Sequence, residues 1–267
     1  MKKILTVMLV FVILAVPLSA CTKTAEDELV VGMELAYPPF ETTDENNNPD
    51  GISVKMAQAL GEYLGRPVRI ENMEWTGLIP ALTTGKVDIV ISSMTITEER
   101  QKTVNFSIPY AKSQLSLLVN KESPVIEFDD LKEEGRVLAV KKGTTGHTYA
   151  LEHLPESNIV VFDTETACVL EVAQGRADAF TYDALTIYKN AQIHPDTTIA
   201  ILTPFQDDFE YWGAALDKES TQLLEDVNNF IREFQASGGM NELADEYLSD
   251  IKKVFDDQGL SFFFDID

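Results

Sequence analysis

Cysteine, histidine, basic charge and long apolar runs are all scarce in this chain. Two cysteines, Cys21 and Cys168, and three histidines occur among the 267 residues. His147, His153 and His194 stand at no metal-ligand spacing, and there is no Gly-x-Ser-x-Gly and no phosphate-binding loop ending in Gly-Lys-Ser/Thr. The usual routes to hydrolytic, nucleotide or metal chemistry are therefore missing. Lys and Arg number 21 against 44 Asp and Glu, a formal net charge of -23, which argues against nucleic acid as a partner. The same surplus keeps a polypeptide soluble and weakly favours cationic ligands.

Apolar residues do form one run, at the N-terminus. Lys2 and Lys3 precede Ile4 to Val16, and Leu18-Ser19-Ala20-Cys21 follows. This order of basic, apolar and small residues is that of an export signal. The run falls short of the roughly 18 to 20 apolar residues a bilayer span requires. Leu-Ser-Ala-Cys resembles the bacterial lipoprotein box, which makes residues 1–20 a removable signal, Cys21 a lipidation site and 21–28 a tether. Cys168 is then left without a partner, so no disulfide supports the fold. Stability must come from burial, and the mature length suits two modest cores.

From Leu29 onward, short β-rich runs alternate with amphipathic helices, which predicts parallel α/β units. Strands are expected at 29–33, 68–71 and 87–92, with a helix capped by Ser53 and closed by Gly65 between the first two. A second series places strands at 114–119, 137–140, 159–162 and 177–181, with helices near 129–134, after Thr145 and from 164 to 174. Gly85-Lys86-Val87-Asp88 and Gly175-Arg176-Ala177-Asp178 echo each other at matching places in the two series. Leu223, Leu224, Val227, Phe230, Ile231 and Phe234 then fall at helical spacing, a last helix runs to about 248, and the aromatic tail 260–266 is expected to dock on the body.

In open parallel sheets, ligands gather at the carboxyl ends of the strands. After 87–92 come Ser93, Met94, Thr95 and, in the first turn of a helix, Arg100. Hydroxyls, loop amides and a guanidinium together outline an anion site; a surface Arg100 paired with Glu98 or Glu99 is the plain alternative. After 137–140, Gly143-Thr144-Thr145-Gly146 is either a ligand loop or an ordinary strand-to-helix turn. Asp183, at the end of the next strand, suits an ammonium group or simply caps a helix. Glu34, Tyr37, Phe40 and Trp75 lie near the first two strand ends, Phe40 as a core residue.

Several stretches in this order resemble the polar amino-acid family of bacterial extracellular solute-binding proteins. They are Tyr37-Pro38-Pro39-Phe40-Glu41, Trp75 to Leu82, Ser92 to Arg100, Asn105 to Tyr110, Gly143 to Gly146, and Gly175 to Ala179 leading to Tyr182-Asp183. The resemblance implies an α/β type II periplasmic-binding-protein fold, two lobes joined by a two-strand hinge near 109–114 and 207–211. It places the first lobe at 29–110 plus 208–267 and the second at 111–207. It also implies a monomeric binding protein of an ABC importer, extracytoplasmic and lipid-anchored at the periplasmic or outer face of a cell membrane, with no cofactor, metal or catalysis.

Carried onto this chain, the resemblance assigns the ligand α-carboxylate to Arg100 and Thr95, with Ser93 contacting the α-ammonium or the carboxylate and Met94 between them counted in the binding set. Thr144 and Thr145 join from the second lobe, Asp183 takes the α-ammonium, and Tyr37 and Trp75 sandwich the side chain. Glu34 stands where relatives that bind cationic amino acids carry an acid, which points to lysine or arginine. If Glu34 instead pairs with Lys141, a neutral polar amino acid is expected. A cyclohexadienyl dehydratase-like enzyme is the alternative of another class. The family's Gly-aromatic-Asp-x-Asp stretch reads Gly51-Ile52-Ser53-Val54-Lys55 here, which leaves importer specificity open.

Overall fold

The computed structural model describes residues 28–206 and 208–266; the export segment, Cys21 and the tether to residue 27 lie outside the described residues. Two five-stranded sheets form two lobes. The first has the order Val68–Asn72, Leu29–Met33, Ile89–Val90, Ala215–Leu216, Asn105–Phe106, and the second the order Ile159–Phe162, Leu138–Lys141, Ala179–Asp183, Leu115–Asn120, Thr198–Ile201. Between them, Ala111–Ser113 and Glu210–Trp212 pair antiparallel with Lys112 opposite Tyr211. No helix among the described residues is long and apolar enough to cross a membrane.

The sheets are not wholly parallel. Ala215–Leu216 runs against its neighbours in the first sheet, and Leu115–Asn120 against both of its neighbours in the second. Both segments follow directly on the crossing strands, so each enters its sheet from the opposite end to the local β-α-β units. The strand expected at 87–92 narrows to Ile89–Val90, because the chain turns at Ser93, whose φ of 47° lies in the left-handed region.

The echoed Gly-basic-small-Asp segments have the same job in each lobe. Gly85 and Gly175 take φ of 71° and 70° where a helix ends. Three residues on, the Asp88 carboxylate accepts the Val30 N–H at 2.9 Å and the Asp178 carboxylate accepts the Val137 N–H at 2.8 Å. The backbones of the same pairs return the bond. A helix is thereby tied to the start of the neighbouring strand twice over, once per lobe.

The helix expected to be capped by Ser53 runs Ile52–Leu64 with Gly51 as its N-cap at φ 112°. Ser53 is one residue inside the helix, buried beside the Glu41 carboxyl. Beyond Thr221–Ala236 and Gly239–Tyr247, a further helix, Ser249–Gln258, extends past the expected end. The tail after it docks: the Phe263 ring lies 5.0 Å from Phe40 and 5.4 Å from Trp212, and its carbonyl accepts the N–H of Lys112 on a crossing strand.

Candidate ligand-binding site

Strand ends converge on a cavity of about 50 Å³ between the lobes, lined by Glu34, Tyr37, Trp75, Ser93, Thr95, Arg100, Thr144, Thr145 and Asp183 among others. Nine residues singled out in the sequence thus meet at one place. Met94 does not join them in that cavity. Its side chain is 1% exposed and packs with Leu78, Leu82 and Val104, because the residue between two inward-facing neighbours points to the opposite side, here the core.

Arg100 lies in the helix Glu98–Thr103, whose N-cap Thr97 accepts the Arg100 N–H. Its guanidinium turns inward rather than to Glu98 or Glu99. It donates to the carbonyls of Thr95 at 2.6 Å and Gly143 at 3.1 Å, and lies 5.2 Å from the Trp75 ring centroid. Burial pushes it down to about 10, with the Glu210 and Tyr182 charges opposing the shift. It stays cationic at neutral pH, and a buried cation favours an anion next to it.

Asp183 ends the strand Ala179–Asp183 and caps the helix Ala184–Ile193. Oδ1 accepts the N–H groups of Leu185 and Thr186 at 3.0 and 3.1 Å, whereas Oδ2 is buried and has no hydrogen-bond partner. The two readings of this residue are therefore compatible: one oxygen caps and the other faces the cavity. Burial raises the carboxyl above its ordinary range, and the neighbouring Tyr37 hydroxyl, followed by the helix-end bonds, counteracts part of that rise. The nearby Tyr37 hydroxyl is also buried and makes no hydrogen bond of standard geometry, though it lies close enough to Asp183 for each group to shift the other. Its ring stacks on Phe40 at 5.2 Å and meets Tyr182 edge-on at 5.8 Å.

Glu34 is not free. It forms an ion pair with Lys141 across the lobes, with the two side chains 9% and 2% exposed. The expectation that a lone Glu34 carboxylate selects a cationic side chain is corrected on this point, since its charge is already balanced. Trp75 also bridges the lobes, its indole N–H donating to the Gly143 carbonyl at 3.0 Å. Gly143 has φ 74°, a conformation that lets one carbonyl receive both Trp75 and Arg100 and that disfavours a side chain there.

The threonines are engaged as well. Thr144 caps the helix Thr145–His153 and donates to the Lys141 carbonyl at 2.8 Å. The Thr95 and Thr145 hydroxyls donate to one oxygen of Glu210, at 3.2 and 2.8 Å. Glu210, on a crossing strand, was not singled out in the sequence; only its place at the second lobe crossing could have pointed to it. Glu41 was also missed as a site group. It is fully buried on the cavity wall, bonded by the Ser93 hydroxyl at 2.9 Å, and burial raises it to about 8, so it is mostly neutral at pH 7. The left-handed Ser93 is strained backbone of the kind held at binding sites by its surroundings. Among the described residues, no group of three His, Cys, Asp or Glu is disposed to hold a metal ion.

Known proteins resemble this chain in sequence and fold. The L-cystine-binding protein TcyJ of Escherichia coli K12 is 30% identical over 228 residues, covering 84% of this chain and 84% of that protein. Among solved structures, an arginine-bound variant of ArgBP from T. maritima is 37% identical with a TM-score of 0.71, covering 78% of this chain and 96% of its own. The putative ABC-transporter binding component of Wolinella succinogenes DSM 1740, complexed with lysine, is 33% identical with a TM-score of 0.77, covering 85% and 98%. The model of the bacterial extracellular solute-binding proteins, family 3, matches residues 29–250. With nearly the whole described fold inside that match and strand-end residues gathered at an interlobe cavity, the chain belongs to this family of solute-binding proteins.

Proposed function

We propose that the chain captures a free amino acid between its lobes and delivers it to an ABC importer, with lysine or arginine preferred. The observation that carries this reading is the buried Oδ2 of Asp183, which makes no hydrogen bond, at a cavity that also holds the half-buried guanidinium of Arg100. An α-ammonium on the first and an α-carboxylate on the second satisfy both. Because Arg100 and Asp183 come from different lobes, such a ligand stabilises the closed form over the open one. Ser93, Thr95, Thr144 and Thr145 complete the binding set in this reading, and Tyr37 and Trp75 flank the ligand side chain.

Charge supports a cationic ligand even with Glu34 paired. Glu34 is offset by Lys141 and Glu41 is mostly neutral, which leaves Asp183 and Glu210 facing Arg100, the one cation among the described residues that line the cavity. One carboxylate is in excess, and a buried charge without a partner is costly. A ligand carrying one net positive charge removes the excess. The lysine- and arginine-bound neighbours agree with this. The second reading, a neutral amino acid, is favoured by the Glu34–Lys141 pair and by the cystine-binding relative.

The protein acts as a monomer without catalysis, residues 29–110 and 208–267 form the first lobe, 111–207 the second, and Cys21 carries the lipid that holds it at the outer face of a membrane. A thermal-shift panel of the twenty amino acids and cystine tests the ligand, since a ligand bound only by the folded state raises Tm according to its affinity. Arginine or lysine should give the largest shift. A larger shift with a neutral amino acid establishes the second reading, no shift with any defeats both, and turnover of arogenate defeats the non-enzymatic role. Cys21→Ser should move the protein from the membrane to the soluble fraction.

A further inference from the structure

Glu210 sits where the proposed reading puts the ligand. Its Oε2 accepts the hydroxyls of Thr95 from the first lobe and Thr145 from the second, at 3.2 and 2.8 Å. Arg100 lies close enough for its charge to act on the Glu210 carboxyl. Two hydroxyls and a guanidinium are also the groups assigned to a ligand α-carboxylate. A hydroxyl has one proton, and both of these are committed to Glu210. The space that includes Asp183, about 50 Å³, is far below the roughly 300–1,000 Å³ of typical small-ligand pockets, while a wider cleft of about 660 Å³ is lined by Trp75, Arg100, Thr145 and Glu210. Glu210 borders both, and it is the carboxylate that a ligand carboxylate seeking Thr95 and Thr145 would meet.

We infer that Glu210 is an internal carboxylate occupying the anion subsite, so that an amino acid must displace it whereas an amine lacking a carboxylate need not. Glu210 belongs to Glu210–Trp212, one of the two crossing strands, so the displacement is coupled to the place where the lobes hinge. Its bonds to Thr95 and Thr145 join both lobes and favour a closed state that excludes amino acids. A competing state of this kind lowers apparent affinity by the fraction of protein it occupies. With the subsite filled from within, Asp183 still offers its free oxygen to an ammonium group, and a decarboxylated cation such as agmatine approaches the two carboxylates without bringing a third.

This inference rests on the reading of Arg100 and the threonines as carboxylate ligands, and its test has one arm that needs no amino acid. Titration calorimetry with arginine and agmatine is done on the wild type, Glu210→Gln and Glu210→Ala. Agmatine carries one more positive charge than arginine, loses more of the Glu210 attraction and should bind both variants more weakly than the wild type, whereas arginine is relieved of competition and should bind both at least tenfold more tightly. Arginine bound no more tightly by the variants, or agmatine tightened as much as arginine, overturns the inference. Independently, millimolar acetate should bind Glu210→Ala saturably, seen as a rise in Tm or NMR shifts at Thr95 and Thr145, and should leave the wild type unaffected. Acetate binding to both proteins alike, or to neither, overturns it too. If neither arginine nor agmatine binds any of the proteins, the proposed ligand class fails and the acetate arm alone judges Glu210. Glu210→Gln keeps the size of the side chain and serves for the calorimetric arm if the alanine variant does not fold.

Discussion

Asp183→Asn separates the two tasks of one carboxyl. In the wild type Oδ1 caps the helix Ala184–Ile193 and Oδ2 is left for a ligand. Asn and Asp are nearly equal as N-caps, so the amide oxygen keeps the bonds from Leu185 and Thr186. What changes is the group facing the cavity: an acceptor with negative charge becomes an N–H donor, which repels an ammonium. Breaking a buried ion pair by removing one partner costs about 3–5 kcal/mol, or roughly 100- to 4,000-fold in Kd. Ligand-free stability should move the other way or not at all, because burial already raises the Asp183 carboxyl and the amide has no charge to desolvate. Titration calorimetry with the best ligand of the panel and urea unfolding without it measure the two quantities. Affinity within threefold of wild type refutes the assignment of Oδ2. Loss of affinity together with loss of ligand-free stability shows that the cap, not the clamp, was removed.

Arg100→Ala should weaken ligand binding by about 3–5 kcal/mol for the same reason, read by calorimetry. The variant also loses two bonds to carbonyls, so Arg100→Lys, which keeps the charge but not the fork, should recover part of the affinity. Glu41 should make the ligand-free protein less stable as pH rises. Its carboxyl stands at about 8 when folded against an ordinary value of 4.5, so the folded state holds the proton more tightly. The contribution is fully present below about 4.5 and is lost as pH climbs through about 8, by the sign of proton linkage. Urea midpoints from pH 5 to 8 should fall more steeply for the wild type than for Glu41→Gln, and parallel slopes would contradict the assignment. Phe263→Ala removes a ring that is 2% exposed between Phe40, Trp212 and Phe255, at a cost of about 3–5 kcal/mol for a buried aromatic, measured by urea unfolding.

Most of the fold was legible because periodicity and end signals act locally. The strand at Ile159–Phe162, the helix closed by Gly65 and the turn at Thr144 depend on neighbours within a few residues. The echo of Asp88 and Asp178 was visible as a pattern, but its meaning, a carboxylate accepting a strand N–H, needed the partner strand. The site residues at strand ends were legible for the same topological reason. Asp183 resisted a choice between cap and clamp because a carboxylate has two oxygens and can serve both.

Other features were hidden because they exist only across the lobes. Glu34 and Lys141 are 107 residues apart, and which partner Glu34 finds depends on how the lobes meet. Glu210 is one acid among 44 Asp and Glu, marked only by its place on a crossing strand. Met94 was grouped with its neighbours by adjacency, whereas the backbone sends its side chain to the core. Ser53 looked like a cap from its residue type, but Gly51 with its positive φ starts the helix earlier. The tail followed from apolar composition, yet its bond to Lys112 on a crossing strand did not.

The decisive measurement is a crystal structure of the protein grown with arginine. The ligand should lie in the interlobe cavity, its carboxylate on the Arg100 guanidinium and its α-ammonium within hydrogen-bond distance of Asp183 Oδ2. An amino acid bound elsewhere, or bound there with Asp183 Oδ2 and Arg100 still unliganded, would contradict it.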